Sequence, residues 1–292
     1  MNVAVTPAMV AQVVVSGLLA GALYAMVSLG LALIFGVMRV INVAHGTILT
    51  AGAYVTFWWF HFLGLNPYLS LLVSMPAMFL LGMALQRFMV RRVVQAPELS
   101  SLLLTFGISI ALVNVLQLAF SSDLRSVEFL TGAFVVGRLA FSKSRLVAFG
   151  FAVAITGLAY WFLQRTRFGK AIRATSQSPD VAMVCGVNVP QVHLYTFGIA
   201  SALAAAGGSL VAVMVAIQPE MGQVYTFKSF LVIVLGGAGN YPGALVGGLL
   251  LGLVEQLSSL FLTTQLSEAV AYVLLVLVLL LRPTGLLGGR AT

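Results

Sequence analysis

Two polar breaks interrupt the long apolar runs of the sequence, and they hold the residues best suited to bind a solute. The first break runs from Arg39 to Thr47 (RVINVAHGT) and the second from Leu235 to Gly243 (LGGAGNYPG). Glycine and proline unwind helices, and broken helices within a membrane offer backbone N–H and C=O groups to the charged ends of a substrate. Candidate pathway residues in the two breaks are Asn42, His45, Gly236, Gly237, Gly239 and Asn240. Alternatively, both breaks are cytoplasmic turns between spans. The membrane orientation predicted from the positions of the basic residues favours this interpretation.

A further pair of polar residues, Asn114 and Gln117, lies three positions apart within an apolar run, and therefore on one helical face. Buried amides of this kind commonly hydrogen-bond to a neighbouring helix, which is the favoured interpretation, and substrate contact is the alternative. His45 has no second His or Cys at ligand spacing, so a metal site is not expected. Neither a catalytic triad nor paired carboxylates are recognisable, so no catalytic residue is assigned and the chain is not expected to be an enzyme.

The composition identifies the elements that must position these residues. The chain has 292 residues, of which 61% are hydrophobic and 8% charged, and its mean hydropathy is +1.08. Soluble domains carry about 25% charged residues, so a soluble enzyme, a nucleic-acid binder and a disordered protein are excluded. The apolar runs are continuous over nearly twenty residues, whereas a transmembrane β-barrel alternates apolar and polar residues. We expect an all-α polytopic membrane protein whose residues 1–292 form a single transmembrane domain.

Nine spans are predicted, near residues 10–37, 44–63, 67–89, 99–120, 145–164, 192–216, 226–239, 242–258 and 268–282. The first is long enough to be broken and the seventh short enough to be re-entrant, so the expected number is eight to ten transmembrane helices. Placing the N-terminus outside brings ten of the fifteen basic residues to the cytoplasmic side, as the positive-inside rule requires. These ten are Arg39, Arg87, Arg91, Arg92, Arg165, Arg167, Lys170, Arg173, Arg282 and Arg290. The expected location is the bacterial inner (plasma) membrane.

Small residues at spacing four predict where helices approach closely. The GxxxG matches are Gly17/Gly21, Gly243/Gly247 and Gly248/Gly252. Such pairs allow two backbones to touch, within one bundle or, less specifically, at a subunit interface.

The loop 164–191 (QRTRFGKAIRATSQSPDVAMVCGVNVPQ) is the longest predicted cytoplasmic segment. Ser178 can cap a helix, Pro179 suits its first position, and Asp180 complements the positive end of its dipole. Val181, Val184 and Cys185 would then share one face, and Gly186 can adopt the left-handed conformation that ends a helix. The pattern predicts an amphipathic helix of about two turns. From the residues alone, this helix either rests on the lipid headgroups or docks another protein.

Four stretches, taken together, resemble a known family. They are SGLLAGALYAMVSLGLALIFGVMRVINVAHGTILTAGAY (16–54), RTRFGKAIRATSQSPDVAMVCGVNV (165–189), FKSFLVIVLGGAGNYPGALVGGLLLGLVE (227–255) and LRPTGLLG (281–288). They resemble, in order and over nearly the whole chain, the LivH-type permease subunit of branched-chain amino-acid ABC importers. The resemblance implies that the loop 164–191 is a coupling loop. The residues it places there are Gly169, Ala174, Ser178, Asp180, Ala182, Gly186 and Asn188.

The resemblance also implies partners and a cargo. A second, related permease would pair with this chain, two cytoplasmic ATPase subunits would dock on the loop, and a periplasmic binding protein would deliver substrate. The ATPase subunits would use ATP and Mg, while this chain would bind no cofactor, metal or nucleic acid. The implied cargo is a branched-chain amino acid. Alternatives are urea or short amides carried by the same machine, and an ATP-independent facilitator or channel.

Overall fold

The computed structural model describes residues 6–137, 139–282 and 284–287. Arg138, Arg290 and parts of the motif 281–288 lie outside these residues. The described α-helices are α1 (Pro7–Met38), α2 (His45–Leu63), α3 (Leu71–Phe88), α4 (Glu98–Phe120), α5 (Lys143–Arg165), α6 (Arg167–Gln177), α7 (Pro179–Val184), α8 (Val189–Ala212), α9 (Gly222–Gly236), α10 (Tyr241–Ser258) and α11 (Thr264–Leu281). Two 3₁₀ turns, Pro67–Ser70 and Val90–Arg92, flank α3.

A helix forms at each of the nine predicted spans, and the helical polytopic class is confirmed. Among the described residues, five segments are long and apolar enough to cross a membrane by length and composition, or six if the bent pair α9 and α10 counts as one span. The five are Pro7–Met38, Pro67–Arg92, Glu98–Phe120, Lys143–Arg165 and Val189–Ala212. Length and composition alone therefore support fewer crossings than the predicted eight to ten, because the remaining helices are shorter or less apolar.

One element departs from the all-α expectation. Strands β1 (Ala133–Val136) and β2 (Leu139–Ser142) form an antiparallel hairpin between α4 and α5. Gly137, with a φ of +61°, supplies the positive backbone angle that a tight hairpin turn needs. The side chain of Gln12 joins the hairpin to α1, because its amide both donates to the carbonyl of Ala140 and accepts from its N–H, at 2.7 and 3.2 Å.

Helix α1 lies at the centre of the bundle and packs mainly on α10 and α8. Its Gly17/Gly21 pair meets the Gly248/Gly252 pair of α10, so a methyl group added at Gly21 would lie only 2.8 Å from the Cα of Leu249. The prediction that the GxxxG pairs pack helices within one bundle is thus confirmed for these two pairs. Because glycine carries no side chain, the two backbones can approach closely enough for extensive van der Waals contact.

Candidate functional site

The first polar break lies inside the bundle and does not form an exposed turn. Arg39 ends α1 with a left-handed backbone (φ 51°), and α2 begins six residues later at His45. Asn42 and His45 are fully buried between these helices. The structure therefore places two predicted pathway residues in the protein interior, where the orientation argument favoured a cytoplasmic turn.

A row of hydroxyl groups on α4 binds the backbone of this break. Ile41 donates its N–H to Ser101 Oγ at 3.2 Å, and Val43 donates to Thr105 Oγ1 at 3.1 Å. Thr105 Oγ1 in turn donates to the carbonyl of Ile41 at 2.7 Å. Two residues of extended chain advance about 6.6 Å, close to one helical turn of about 5.4 Å, so the break can bond to successive turns of α4.

The start of α2 continues along the same face of α4. The hydroxyls of Thr47 and Ser109 lie 2.7 Å apart, and Ser109 is the central residue of α4. Helix α2 consequently begins beside the middle of a candidate membrane span. The Ser101, Thr105 and Ser109 stripe was missed by the sequence analysis, although its spacing of four is a visible signal for hydrogen bonding between helices.

Helix α9 begins at the same place and closes the junction. Thr226 Oγ1 accepts the N–H of Gly46 at 2.9 Å. A methyl group added at Gly46 would overlap the carbonyl oxygen of Gly222, and one added at Gly222 would overlap that of Gly46. The backbones of α2 and α9 therefore cross in direct contact at two glycines. We call this crossing, formed by Gly46, Gly222 and Thr226, the glycine junction.

A cavity of about 190 Å³ opens beside the glycine junction, between α4, α9 and the break. It is lined by Val43, Phe106, Ser109, Ile110, Val113, Asn114, Gln223, Thr226 and Phe227. Its wall thus combines aromatic and aliphatic side chains with hydroxyl and amide groups. Such a mixture can hold a small solute with an apolar body and polar ends.

Asn114 and Gln117 lie on one face of α4, as their spacing predicts, toward the start of α9 and the residues just before it. The amide of Asn114 is exposed in the cavity and donates to the carbonyl of Ile110 at 2.8 Å. Gln117 donates to Glu220 Oε1 at 3.2 Å, so it makes a bond between elements, of the kind that the favoured interpretation describes. An exposed amide on a membrane span needs protein or water beside it, because hydrocarbon offers no hydrogen bond.

Asn42 and His45 do not belong to the lining of this cavity. The His45 Nε2 lies 3.0 Å from the carbonyl of Val27, whereas its Nδ1 and both amide atoms of Asn42 have no partner among the described residues. Nearly all buried polar atoms in proteins are hydrogen-bonded. The structure therefore buries Asn42 and His45 outside the cavity and gives them no contact with its interior.

The second break is a tight turn. Gly237 has a φ of 103°, and α9 and α10 are bent by 117° across the turn. Asn240 caps α10 by accepting the N–H of Gly243 at 3.1 Å. Leu286 donates to the carbonyl of Leu235 at 2.8 Å, so the C-terminal segment covers the turn. Of the predicted pathway residues, the structure does not bring Gly236, Gly237 or Asn240 to the cavity beside α4.

The predicted short helix of the loop 164–191 is present as α7. Ser178 Oγ accepts the N–H of Val181 at 3.4 Å, Pro179 occupies the first turn, and Gly186 has a φ of +84°. Ala182 is buried, while the opposite surface of α7 is exposed. We call the exposed residues Val181, Met183, Val184 and Cys185 the α7 tip. The sequence predicts three of these four on one face.

The remaining predicted loop residues divide into two groups. Gly169 is buried against the last turn of α5, where an added methyl group would overlap the carbonyl of Leu163, and Asn188 caps α8 through the N–H of Gln191 at 3.2 Å. Ala174 and Asp180 lie exposed on the surface. The first pair shapes the loop, whereas the second pair is available for contact. Helix α6 was not predicted from the sequence, although Thr166 marks its start by accepting the N–H of Gly169 at 2.9 Å.

A cluster of charges inside the bundle was also missed. Lys228 on α9 lies 2.7 Å from Glu255 on α10 and 3.6 Å from Glu268 on α11. Its ammonium group also donates to the hydroxyl of Tyr24 on α1 at 3.0 Å. These residues come from four helices, so no local spacing in the sequence indicates that they meet.

Long apolar helices packed around a central span, with another helix that starts inside the bundle, define the class: the chain is a multi-pass helical membrane protein. It belongs to the family described as branched-chain amino acid transport system / permease component, whose profile matches residues 13–279. It is 33% identical to the LivH permease protein of Escherichia coli K12 and 32% identical to the BraD permease protein of Pseudomonas aeruginosa, each over 95% of both chains. The probable LivH permease protein of Methanocaldococcus jannaschii is 29% identical, over 91% of this chain and 89% of its own. No solved structure gives a significant match. The chain is a multi-pass protein of the inner membrane.

Proposed function

We propose that this chain is the permease subunit of an ATP-binding-cassette importer that moves branched-chain amino acids across the inner membrane by alternating access. Its LivH and BraD relatives are permease proteins of high-affinity branched-chain amino acid transport systems, which supports this choice of substrate. The observation that carries the ATP-driven mechanism is the α7 tip, because a stand-alone facilitator has no use for a capped helix that presents apolar side chains to the cytoplasm.

The α7 tip is a small, exposed apolar surface suited to contact another protein. Val184 is 90% exposed, and Val181 and Met183 are exposed beside it. A cluster of exposed apolar side chains outside the lipid marks a contact surface for another protein. Each of two cytoplasmic ATPase subunits would bind one such surface, one on this chain and one on a second, related permease. ATP and Mg act in those subunits, and this chain itself performs no catalysis.

The cavity beside the glycine junction is the proposed wall of the substrate path. Its volume of about 190 Å³ is below the roughly 300–1,000 Å³ of complete ligand pockets, so the second permease would supply the opposite wall. The aliphatic tail of the substrate would contact Phe106, Ile110 and Val113. Its charged ends would meet Asn114 and the backbone where α2 and α9 begin. A periplasmic binding protein would deliver the substrate from outside.

Transport follows as a rigid-body shift. Closure of the ATPase subunits on ATP would push the α7 tip, and α6 and α8, which adjoin α7 in the chain, would transmit the movement. Helix α8 packs on α1, α2 and α3, so a displacement at α7 reaches the glycine junction through α8 and α2. The cavity would then open alternately to each side.

Uptake by the reconstituted importer tests the docking role. Vesicles containing both permeases and the ATPase subunits, supplied with binding protein and ATP, are assayed for radiolabelled leucine uptake and coupled ATP hydrolysis. The changes Val184→Asp and Gly186→Val should each abolish both activities, because one places a charge in the docking contact and the other strains the end of α7. The matched control Val135→Asp, at an exposed valine of the β-hairpin, should retain them.

A labelling experiment gives an independent measurement. Cys185 is the only cysteine of the chain and is exposed at the α7 tip. Its reaction with a maleimide should slow several-fold when the ATPase subunits are bound. Unchanged uptake in Val184→Asp together with unchanged labelling would refute the docking role. Leucine uptake without ATP would instead support a facilitator. Uptake of urea but not leucine would support the ATP-driven importer with a different substrate.

A further inference from the structure

The charge cluster around Lys228 on α9 lies inside the bundle but outside the lining of the proposed transport path. The side chains of Lys228 and Glu255 are each only 12% exposed, and their charged atoms lie 2.7 Å apart. The ammonium group also lies 4.9 Å from the centre of the Tyr24 ring, within range of a cation–π interaction. The cluster therefore joins α9 to α10 and to the central helix α1 through a single side chain.

Charges inside a membrane bundle are costly, and their presence marks a functional constraint. A buried pair becomes strongly destabilising when one partner is lost, because the other charge remains without compensation. Helix α9 has only 15 residues, begins beside the glycine junction and ends at a sharp bend. The ion pair adds a side-chain contact that can hold the rotation and position of this short helix, beyond its backbone contact at the glycine junction.

Lys228 is placed to provide that tie for the cavity wall. Gln223, Thr226 and Phe227 of α9 line the cavity, and Lys228 follows directly on a different face, toward α1 and α10. A change at Lys228 would rotate or shift α9 and move the three lining residues with it. We propose that Lys228 is a positioning residue for transport, whose ion pair with Glu255 fixes the α9 wall of the substrate cavity.

The two carboxylates have unequal roles in this arrangement. Glu255 is buried and lies at hydrogen-bond distance, whereas Glu268 is more exposed and lies 3.6 Å from the ammonium group. Exposed charges are screened by water and contribute less than buried ones. Neutralising Glu255 should therefore disturb α9 far more than neutralising Glu268.

The inference rests on the proposed function, because it takes the cavity as part of the transport path. The experiment consequently measures the position of α9 separately from transport. In a Cys185→Ser reference chain, the change Asn114→Cys places a thiol in the cavity, and its rate of maleimide labelling reports on the α9 wall. Leucine uptake by the assembled importer, without the added thiol, gives the half-saturation concentration and the maximal rate.

Lys228→Met and Glu255→Gln should change the labelling rate at least fivefold and raise the half-saturation concentration at least fivefold, at equal amounts of protein in the membrane. Glu268→Gln should change either quantity less than twofold. The charge swap of Lys228→Glu with Glu255→Lys should restore most of both, which a loss of general stability would not allow. Lys143→Met, at an exposed lysine of α5, is the control for removing one positive charge.

The outcomes separate the two ideas. Altered labelling with unaltered uptake would support Lys228 as the tie of α9 and overturn the cavity as the transport path. Unaltered labelling in both single variants would overturn the positioning role, whatever happens to uptake. If Lys228→Met does not accumulate in the membrane, the charge-swap variant provides the test. A labelling rate in that variant that stays far from the reference value would also overturn the positioning role of Lys228.

Discussion

Replacing Gly46 with alanine should loosen the glycine junction, and the size of the effect follows from the geometry. The new methyl group would overlap the carbonyl oxygen of Gly222, which belongs to the rigid backbone of α9 and cannot rotate away. Forcing extra atoms into a packed interior costs about 1–3 kcal/mol. Separating α2 from α9 would also stretch the bond from the Gly46 N–H to Thr226, worth about 1 kcal/mol. The expected loss is about 2–4 kcal/mol.

The matched control is Gly107→Ala on α4. An added methyl group there meets no atom within 4 Å among the described residues, and alanine favours the helix interior over glycine by about 0.8–1.0 kcal/mol. The same chemical change should therefore stabilise the protein slightly at position 107 and destabilise it at position 46. Neither substitution alters charge or polarity, so the difference between the two variants measures the contact itself.

Titration of the purified protein with a denaturing detergent, followed by circular dichroism, measures the free energy of unfolding. Leucine uptake should fall in Gly46→Ala because the cavity is bounded by the same junction, and should be unchanged in Gly107→Ala. Equal stability and uptake for Gly46→Ala and the parent protein would refute the direct contact between the backbones of α2 and α9.

Three further changes should act through contacts described above. Thr105→Val removes a hydroxyl that serves both the N–H of Val43 and a neighbouring carbonyl, so stability should fall by about 1–3 kcal/mol and the break should become more accessible to hydrogen exchange. Asn240→Ala removes the cap of α10, and a loss of about 1 kcal/mol should appear in detergent unfolding; a loss below about 0.3 kcal/mol would argue against the cap. Gly248→Val should prevent α1 and α10 from packing, which protease resistance of the membrane-inserted chain would report, while unchanged resistance would contradict the close approach.

Features set by neighbouring residues could be read from the sequence. The short helix α7 was predicted to its cap and its terminating glycine because Ser178, Pro179 and Gly186 lie within nine positions of one another. Each acts on backbone groups one to three residues away, so no knowledge of the tertiary fold is needed. The same holds for the long apolar helices, whose positions follow from hydropathy alone.

Features set by distant residues could not be read in this way. The break at 39–44 looks like a turn because its hydrogen-bond partners are hidden in the sequence: Ser101 is 60 residues from Ile41, and Thr226 is 183 residues from Val43. A turn in water and a break satisfied by hydroxyl groups share the same composition. Lys228 is not among the ten basic residues predicted on the cytoplasmic side, and the basic-residue pattern places it outside, because its partner Glu255 lies 27 residues further along on another helix.

The central position of α1 has a consequence for how the chain is made. Gly17 leaves the ribosome early, yet its contact Gly252 lies 235 residues further along. At about 5–20 residues per second, this interval lasts roughly 10–50 s, during which α10 cannot yet cover the glycine-lined face of α1. A product that stops before α10 would leave that face open and available to membrane proteases. The packing of α1 against α10 can therefore be completed only in the last quarter of translation, and not when the first helix inserts.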